Sequence, residues 1–342
     1  MHTSSILRSM TLFYLPFLLA LGMGCATAKI TKPDLPTRNL DASSPPSALS
    51  ILFVHGYFGF AELPLWGDYI PGARHALAEQ EQQLFFTDVP VFVTPQTRAP
   101  FLVKRIKEVL EETGASQLHI IAHSMGGLDA RVALADPNVA KLVFSLTTIS
   151  SPHHGLDVPA FAKEIPEPIY AFFAMPLALG LDWIRGLPAT STQIQETLQL
   201  MSKDRMTAFN KKHPAPNDVF IFTIAGLTWA SNSPQCAGPW GRPTVIDAPM
   251  LALLPSFLVI RGSAPFEAND GVIPVWSARF AHFLGCLPAD HSDELNQSVE
   301  ILAAPQTQPF DALHFYRTLG ARLRLLEQSG NAAVMDIPFY KK

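Results

Sequence analysis

The chain has 342 residues, 48% of them apolar, and a formal net charge of −4. That length and apolar share can bury a large core, and α/β sheets of this size often run as one domain. The slightly acidic balance and the lack of any Lys/Arg block argue against a nucleic-acid partner, which needs a basic footprint.

The N-terminus reads as a targeting segment over residues 1–28. His2 and Arg8 precede an apolar run, Met10 to Leu21, too short for a comfortable membrane span, and Ala26-Thr27-Ala28 supplies a small-residue cleavage site. Leu21-Gly22-Met23-Gly24-Cys25 resembles a lipoprotein signal in which Cys25 would carry the lipid. Residues 29–50, rich in Pro, Ser, Thr and Asp, read as a flexible tether. The expected address is therefore extracytoplasmic, either secreted or as a periplasmic or outer-membrane lipoprotein. In an oxidising compartment Cys236 and Cys286 are candidates for a disulfide.

Residues 51–342 read as one domain. Ser50–Gly56, Val89–Pro95, Leu118–Ala122, Lys141–Ile149 and Val219–Ala225 are strand candidates. Helical spacing runs over residues 101–112 and resumes at 128–135. Strands alternating with helices predict an α/β fold, a mostly parallel sheet covered on both faces. Residues 158–190 are crowded with apolar side chains and broken by Pro166, Pro168 and Pro176. They read as a lid-like insertion over a cleft, with a pair of packed helices as the alternative. Trp229–Ser263, rich in Pro and Gly, reads as a surface excursion.

The chemistry centres on Ala122-His123-Ser124-Met125-Gly126, where a buried strand meets a helix. A serine at such a turn, flanked by small residues, has the pattern of a nucleophile elbow. Its hydroxyl needs a histidine base, and the histidine needs a carboxylate to hold its tautomer. With chain order Ser, acid, His, the first choices are Asp270 in Asn269-Asp270-Gly271 and His291 in a polar loop, and His282 and His314 remain alternatives. Two backbone N–H groups would hold the oxyanion: that of Met125, and that of Tyr57 after His55-Gly56.

These residues resemble the bacterial true lipases of family I, the calcium-containing pseudomonad-type triacylglycerol lipases, which have the α/β-hydrolase fold with an apolar lid. The resemblance runs from about Ile51 to Ile301. It is carried by Val54-His55-Gly56-Tyr57-Phe58-Gly59-Phe60, Trp66-Gly67-Asp68-Tyr69, the elbow, Ser151-Pro152-His153-His154-Gly155-Leu156-Asp157, and Ala208-Phe209-Asn210 with His213-Pro214. At the C-terminal end Asn269-Asp270-Gly271-Val272 is similar to the family's N-D-G-L-V, which holds the triad acid. His291-Ser292-Asp293-Glu294-Leu295-Asn296-Gln297 is similar to H-L-D-E-V-N-Q, which opens on the triad base. The resemblance implies His291 as the base. It also implies a structural Ca²⁺ held by Asp247 and Asp293 with the carbonyls of Gln297 and Ile301, pinning the loop that carries His291. Ala122 stands where the family has glycine, Ser292 where it has an apolar residue, and the two cysteines do not fall on its disulfide positions.

The implied activity is hydrolysis of carboxylic esters, most plainly acylglycerols at a lipid–water interface, with a lipase-specific foldase as a possible partner. A short-chain esterase or an acyltransferase would use the same site. A catalytically silent scaffold used for binding would have lost a triad member, and here all the candidates are present.

Overall fold

The computed structural model describes residues 48–57, 62–63, 67–91, 93–156, 196–197, 199–227, 236, 268–297 and 310–336. Strands β1 (Ile51–Val54), β4 (Leu84–Phe86), β5 (Leu118–His123), β6 (Val143–Ile149), β7 (Phe220–Gly226) and β8 (His282–Leu287) form one sheet in the order β4-β1-β5-β6-β7-β8, with every neighbouring pair parallel. Between β1 and β4, β2 (Glu62–Leu63) and β3 (Gly67–Asp68) make a separate antiparallel ribbon. The helices are α1 (Ala73–Ala78), α2 (Pro95–Thr113), α3 (Gly126–Leu134), α4 (Pro137–Ala140), α5 (Lys203–Lys212), α6 (Val275–Ala278) and α7 (Ala312–Ser329).

Apolar runs make these strands central because both faces of a parallel sheet are buried. Along β1 the side chains alternate between two cores. Ile51 and Phe53 join Ile121, Phe222 and Ile224 under Leu77 of α1 and Phe315, Leu319 and Leu323 of α7. Leu52 and Val54 join Ile120 and Leu146 under Leu102, Ile106 and Val109 of α2 and Ala130 and Leu134 of α3. Each fully buried Leu, Ile or Phe contributes about 1.5–3 kcal/mol. The six strands of the main sheet run the same way, so the C-terminal ends of β1, β5, β6, β7 and β8 gather on one rim, the place where open α/β sheets carry their ligands.

The structure departs from the sequence reading in several places. The described residues of Val89–Pro95 form no strand; β4 lies earlier, and Thr87 N–H extends its pairing by donating to Phe53 O at 3.0 Å. Pro90 has no N–H to offer a ladder, so Val89, Val91 and Val93 are buried without pairing. Helix α2 starts at Pro95 rather than at residue 101, because proline is well suited to the first helical position. β8 and α7 were not anticipated at all. Cys236 and Cys286 are bonded, with Cα atoms 5.3 Å apart, tying residue 236 to β8. The expected signal peptide, most of the tether, the lid-like insertion, Asp247 and Ile301 lie outside the described residues.

Candidate active site

Ser124 stands between β5 and α3 with φ 54°, in the left-handed region that a side-chain-bearing residue seldom adopts. Such a conformation costs about 1–3 kcal/mol and persists only where the surroundings enforce it. They do so here through close packing. Ser124 N–H donates to Ile149 O at 2.9 Å, fastening the turn to β6. A Cβ on Gly126 would lie 2.5 Å from Val54 O, and one on Gly56 would lie 2.8 Å from Ser124 Cβ and 3.3 Å from its Oγ. The end of β1 therefore runs directly against the serine.

Asp270 and His291 come together on the same rim. His291 Nδ1 is 2.7 Å from Asp270 Oδ2, and His291 N–H donates to Asp270 O at 3.0 Å. Asp270 is fully buried, and its Oδ1 accepts from the Val272 and Ile273 N–H groups at 2.8 and 2.6 Å, which fixes the carboxylate's orientation. An ionised carboxylate can only accept, so the proton sits on Nδ1 and Nε2 is the basic nitrogen. The His291 ring lies 4.4 Å, centroid to centroid, from that of His123, the residue before Ser124. His291 keeps 15% of its side chain exposed and Ser124 keeps 9% of its surface. The other two histidines lie elsewhere: His282 pairs with Asp336 on the surface, and His314 is in the first turn of α7.

Tyr57 and Met125, the expected oxyanion donors, belong to one apolar cluster with Leu128, Met201, Met206 and Phe209. Met125 caps the N-terminus of α3, where N–H groups have no intrahelical acceptor.

Three buried groups around the site were missed by the sequence reading. Glu294 sits in the 3-10 turn Asp293–Leu295, points inward, and accepts from Ser150 Oγ at 2.5 Å while its other oxygen lies 3.1 Å from His123 Nε2. Ser150 Oγ in turn accepts from Gly226 N–H at 2.9 Å, and Tyr316 Oη donates to Glu294 O at 2.9 Å. Burial, with Asp270 nearby, pushes the Glu294 carboxyl well above the usual carboxylate range. Burial, with His291 beside it, holds His123 well below the usual histidine value, hence neutral. Arg98 and Tyr69 hold the end of β1. Burial raises the Tyr69 phenol, which also hydrogen-bonds the Gly56 backbone. Glu294 and Tyr69 lay inside quoted motifs without a role attached, and nothing in the sequence marks Arg98.

Of the expected calcium ligands, Asp293 and Gln297 are described. Asp293 Oδ2 accepts from Asp290 N–H at 3.1 Å, and Gln297 Nε2 donates to Tyr69 O at 2.7 Å. Among the described residues, the group of side chains spaced to hold a metal is a different one: His123, His291 and Glu294.

Comparison with known proteins agrees with this architecture. A family profile described as a PGAP1-like alpha/beta domain matches residues 94–165, which hold β5, the elbow and β6. A triacylglycerol lipase of Pseudomonas fragi is 29% identical over 171 residues, 48% of this chain and 57% of that protein. One of Pseudarthrobacter phenanthrenivorans is 24% identical over 315 residues, 80% of this chain and 96% of that protein. The crystal structure of Staphylococcus hyicus lipase superposes with a TM-score of 0.58 at 17% identity, covering 85% of this chain and 99% of that one. The chain has the α/β-hydrolase fold and is similar over 80% of its length to a bacterial triacylglycerol lipase.

Proposed function

We propose that this chain is an exported carboxylic-ester hydrolase, a lipase acting on acylglycerols through Ser124, His291 and Asp270. The observation that carries the proposal is a serine in left-handed conformation at a strand–helix apex, on the rim where a histidine is held by a buried carboxylate. Such a serine serves as nucleophile when a base can take its proton. Ser124 Oγ attacks the ester carbonyl while His291 Nε2 accepts the hydroxyl proton, and Asp270 stabilises the imidazolium that results. The tetrahedral oxyanion is held by the Tyr57 and Met125 N–H groups. The intermediate collapses with cleavage of the ester C–O bond, and His291 returns the proton to the departing alcohol. Water then repeats the sequence on the acyl-serine and releases the carboxylic acid.

The names of the lipase relatives support lipid esters as the substrate class. The Cys236–Cys286 bond favours an oxidising, extracytoplasmic setting. A structural Ca²⁺ belongs to the same reading. Asp293, two residues beyond His291, offers carboxylate oxygen, the donor a hard cation takes. Asp293 and the Gln297 carbonyl would hold the ion with Asp247 and Ile301, and bound there it would pin the His291 loop.

The test is hydrolysis of nitrophenyl esters from butyrate to oleate. Ser124→Ala is expected to lower kcat about a thousandfold or more with the fold intact by circular dichroism. Near-normal turnover in that variant would refute the assignment. Faster turnover of the long-chain esters is the lipase result, and activity confined to butyrate would make the protein a short-chain esterase.

A further inference from the structure

Arg98 is fully buried in the first turns of α2, and its guanidinium is spent on the end of β1. Nη1 donates to Gly56 O at 3.0 Å, and Nη2 donates to Gly56 O at 3.1 Å and to His55 O at 2.7 Å. Nε donates to Asp129 Oδ2 of α3 at 2.8 Å, a pair with no exposed surface on either side chain. His55 Nδ1, 2.9 Å from Gly56 O, adds a third donor to that oxygen.

Gly56 C=O and Tyr57 N–H belong to one peptide unit. In a planar trans peptide they point in opposite directions, so fixing the carbonyl fixes the N–H. The other side of Gly56 is closed by Ser124, within van der Waals reach. We propose that Arg98 is the positioning residue of the oxyanion hole, aiming the Tyr57 N–H by gripping the carbonyl of the same peptide, with Asp129 holding the guanidinium in register. This inference rests on the hydrolase reading above and adds a part to it. A charged donor on the carbonyl also polarises the peptide and strengthens its N–H as a donor. Stability alone is a weak reason for two buried charges, since an apolar pair of similar volume is often as stabilising.

The test compares wild type, Arg98→Lys and Asp129→Asn for hydrolysis of nitrophenyl butyrate and for binding of phenylboronic acid, which forms a tetrahedral adduct on an active serine. Losing an oxyanion donor costs about 10²–10³ in kcat. A misaimed donor in Arg98→Lys is expected to cost about 10–100-fold in kcat, with KM changed by less than about threefold. Boronate affinity should fall in step with kcat. Asp129→Asn, which keeps an acceptor for Nε, should show the same split, reduced to several-fold, and it carries the test if the lysine variant does not fold. A lower melting temperature with unchanged kcat and boronate affinity would make the pair structural and overturn the inference. Activity in wild type that is lost in Ser124→Ala keeps the hydrolase reading whatever Arg98 does. A wild type that hydrolyses no ester overturns both.

Discussion

Glu294 shows how one buried side chain links the loop of His291 to the sheet. It ties that loop to His123 at the end of β5 and to Ser150 just beyond β6, and its backbone carbonyl is held by Tyr316 of α7. Burial raises its carboxyl and so favours the protonated form, which can donate to His123 and accept from Ser150, a pattern that a glutamine amide reproduces. Glu294→Gln should therefore fold normally, whereas Glu294→Ala should lose about 2–4 kcal/mol by leaving Ser150 and His123 without their partner. The pH dependence has a definite sign. The unfolded carboxyl releases its proton near 4.5 and the folded one only at higher pH. Above about 4.5 the folded state therefore binds more protons, and this residue's contribution to stability falls as pH rises. Urea unfolding at pH 5 and pH 8 should show wild type losing ground to Glu294→Gln at the higher pH; an equal gap at both would contradict a neutral Glu294. At this scale Ser124, Asp270 and His291 stood out in the sequence because each sits in a familiar motif. Arg98 was not, because its partners are backbone carbonyls and an aspartate 31 positions away.

Among the elements, strands buried on both faces were readable because their apolar runs are continuous: β1, β5, β6 and β7 all fall within two residues of expectation at either end. β8 was missed for a physical reason. Among the described strands it lies at the edge of the sheet, its first four residues are only half-buried, and Gly285 has φ 118° beside a register shift. No clean alternation survives such an irregularity. The N-terminal turns of α2 were missed because the apolar spacing begins only after Pro100, yet those turns deliver Arg98 to the site. The Cys236–Cys286 bond fastens β8, and β8 leads into the loop of Asp290 and His291. The cysteines are 50 positions apart, and closing a loop of that length stabilises by about 4 kcal/mol in the chain-entropy model. The double variant Cys236→Ser, Cys286→Ser should lower stability by about 2–4 kcal/mol in urea unfolding. The thiols supply no group to the proposed chemistry, so kcat at a temperature where the variant stays folded should hold within about threefold. An unchanged urea midpoint would remove the bond's structural role.

For the molecule as a whole, the alternation of strands and helices implied the parallel sheet, and the sheet order explains why the site lies where it does. β1 brings Gly56 and Tyr57, β5 brings Ser124, and the loops flanking β8 bring Asp270 and His291 to one rim. Sequence could supply these as motifs but not their approach, which depends on Gly56 and Gly126 letting backbones meet at the elbow. The proposed Ca²⁺ is a claim at this scale, because it acts on stability rather than chemistry. Chelation with EDTA should lower the melting temperature by several degrees, and Asp293→Ala should abolish that response. A melt indifferent to EDTA would overturn the calcium proposal.

The most direct test of the central claim is covalent. The protein is treated with diethyl nitrophenyl phosphate, and the modified peptide is mapped by mass spectrometry against residual ester hydrolysis. One diethylphosphoryl group per chain is expected, on Ser124, accumulating in step with the loss of activity. Activity lost while Ser124 stays unmodified, or retained once Ser124 is fully modified, would contradict it.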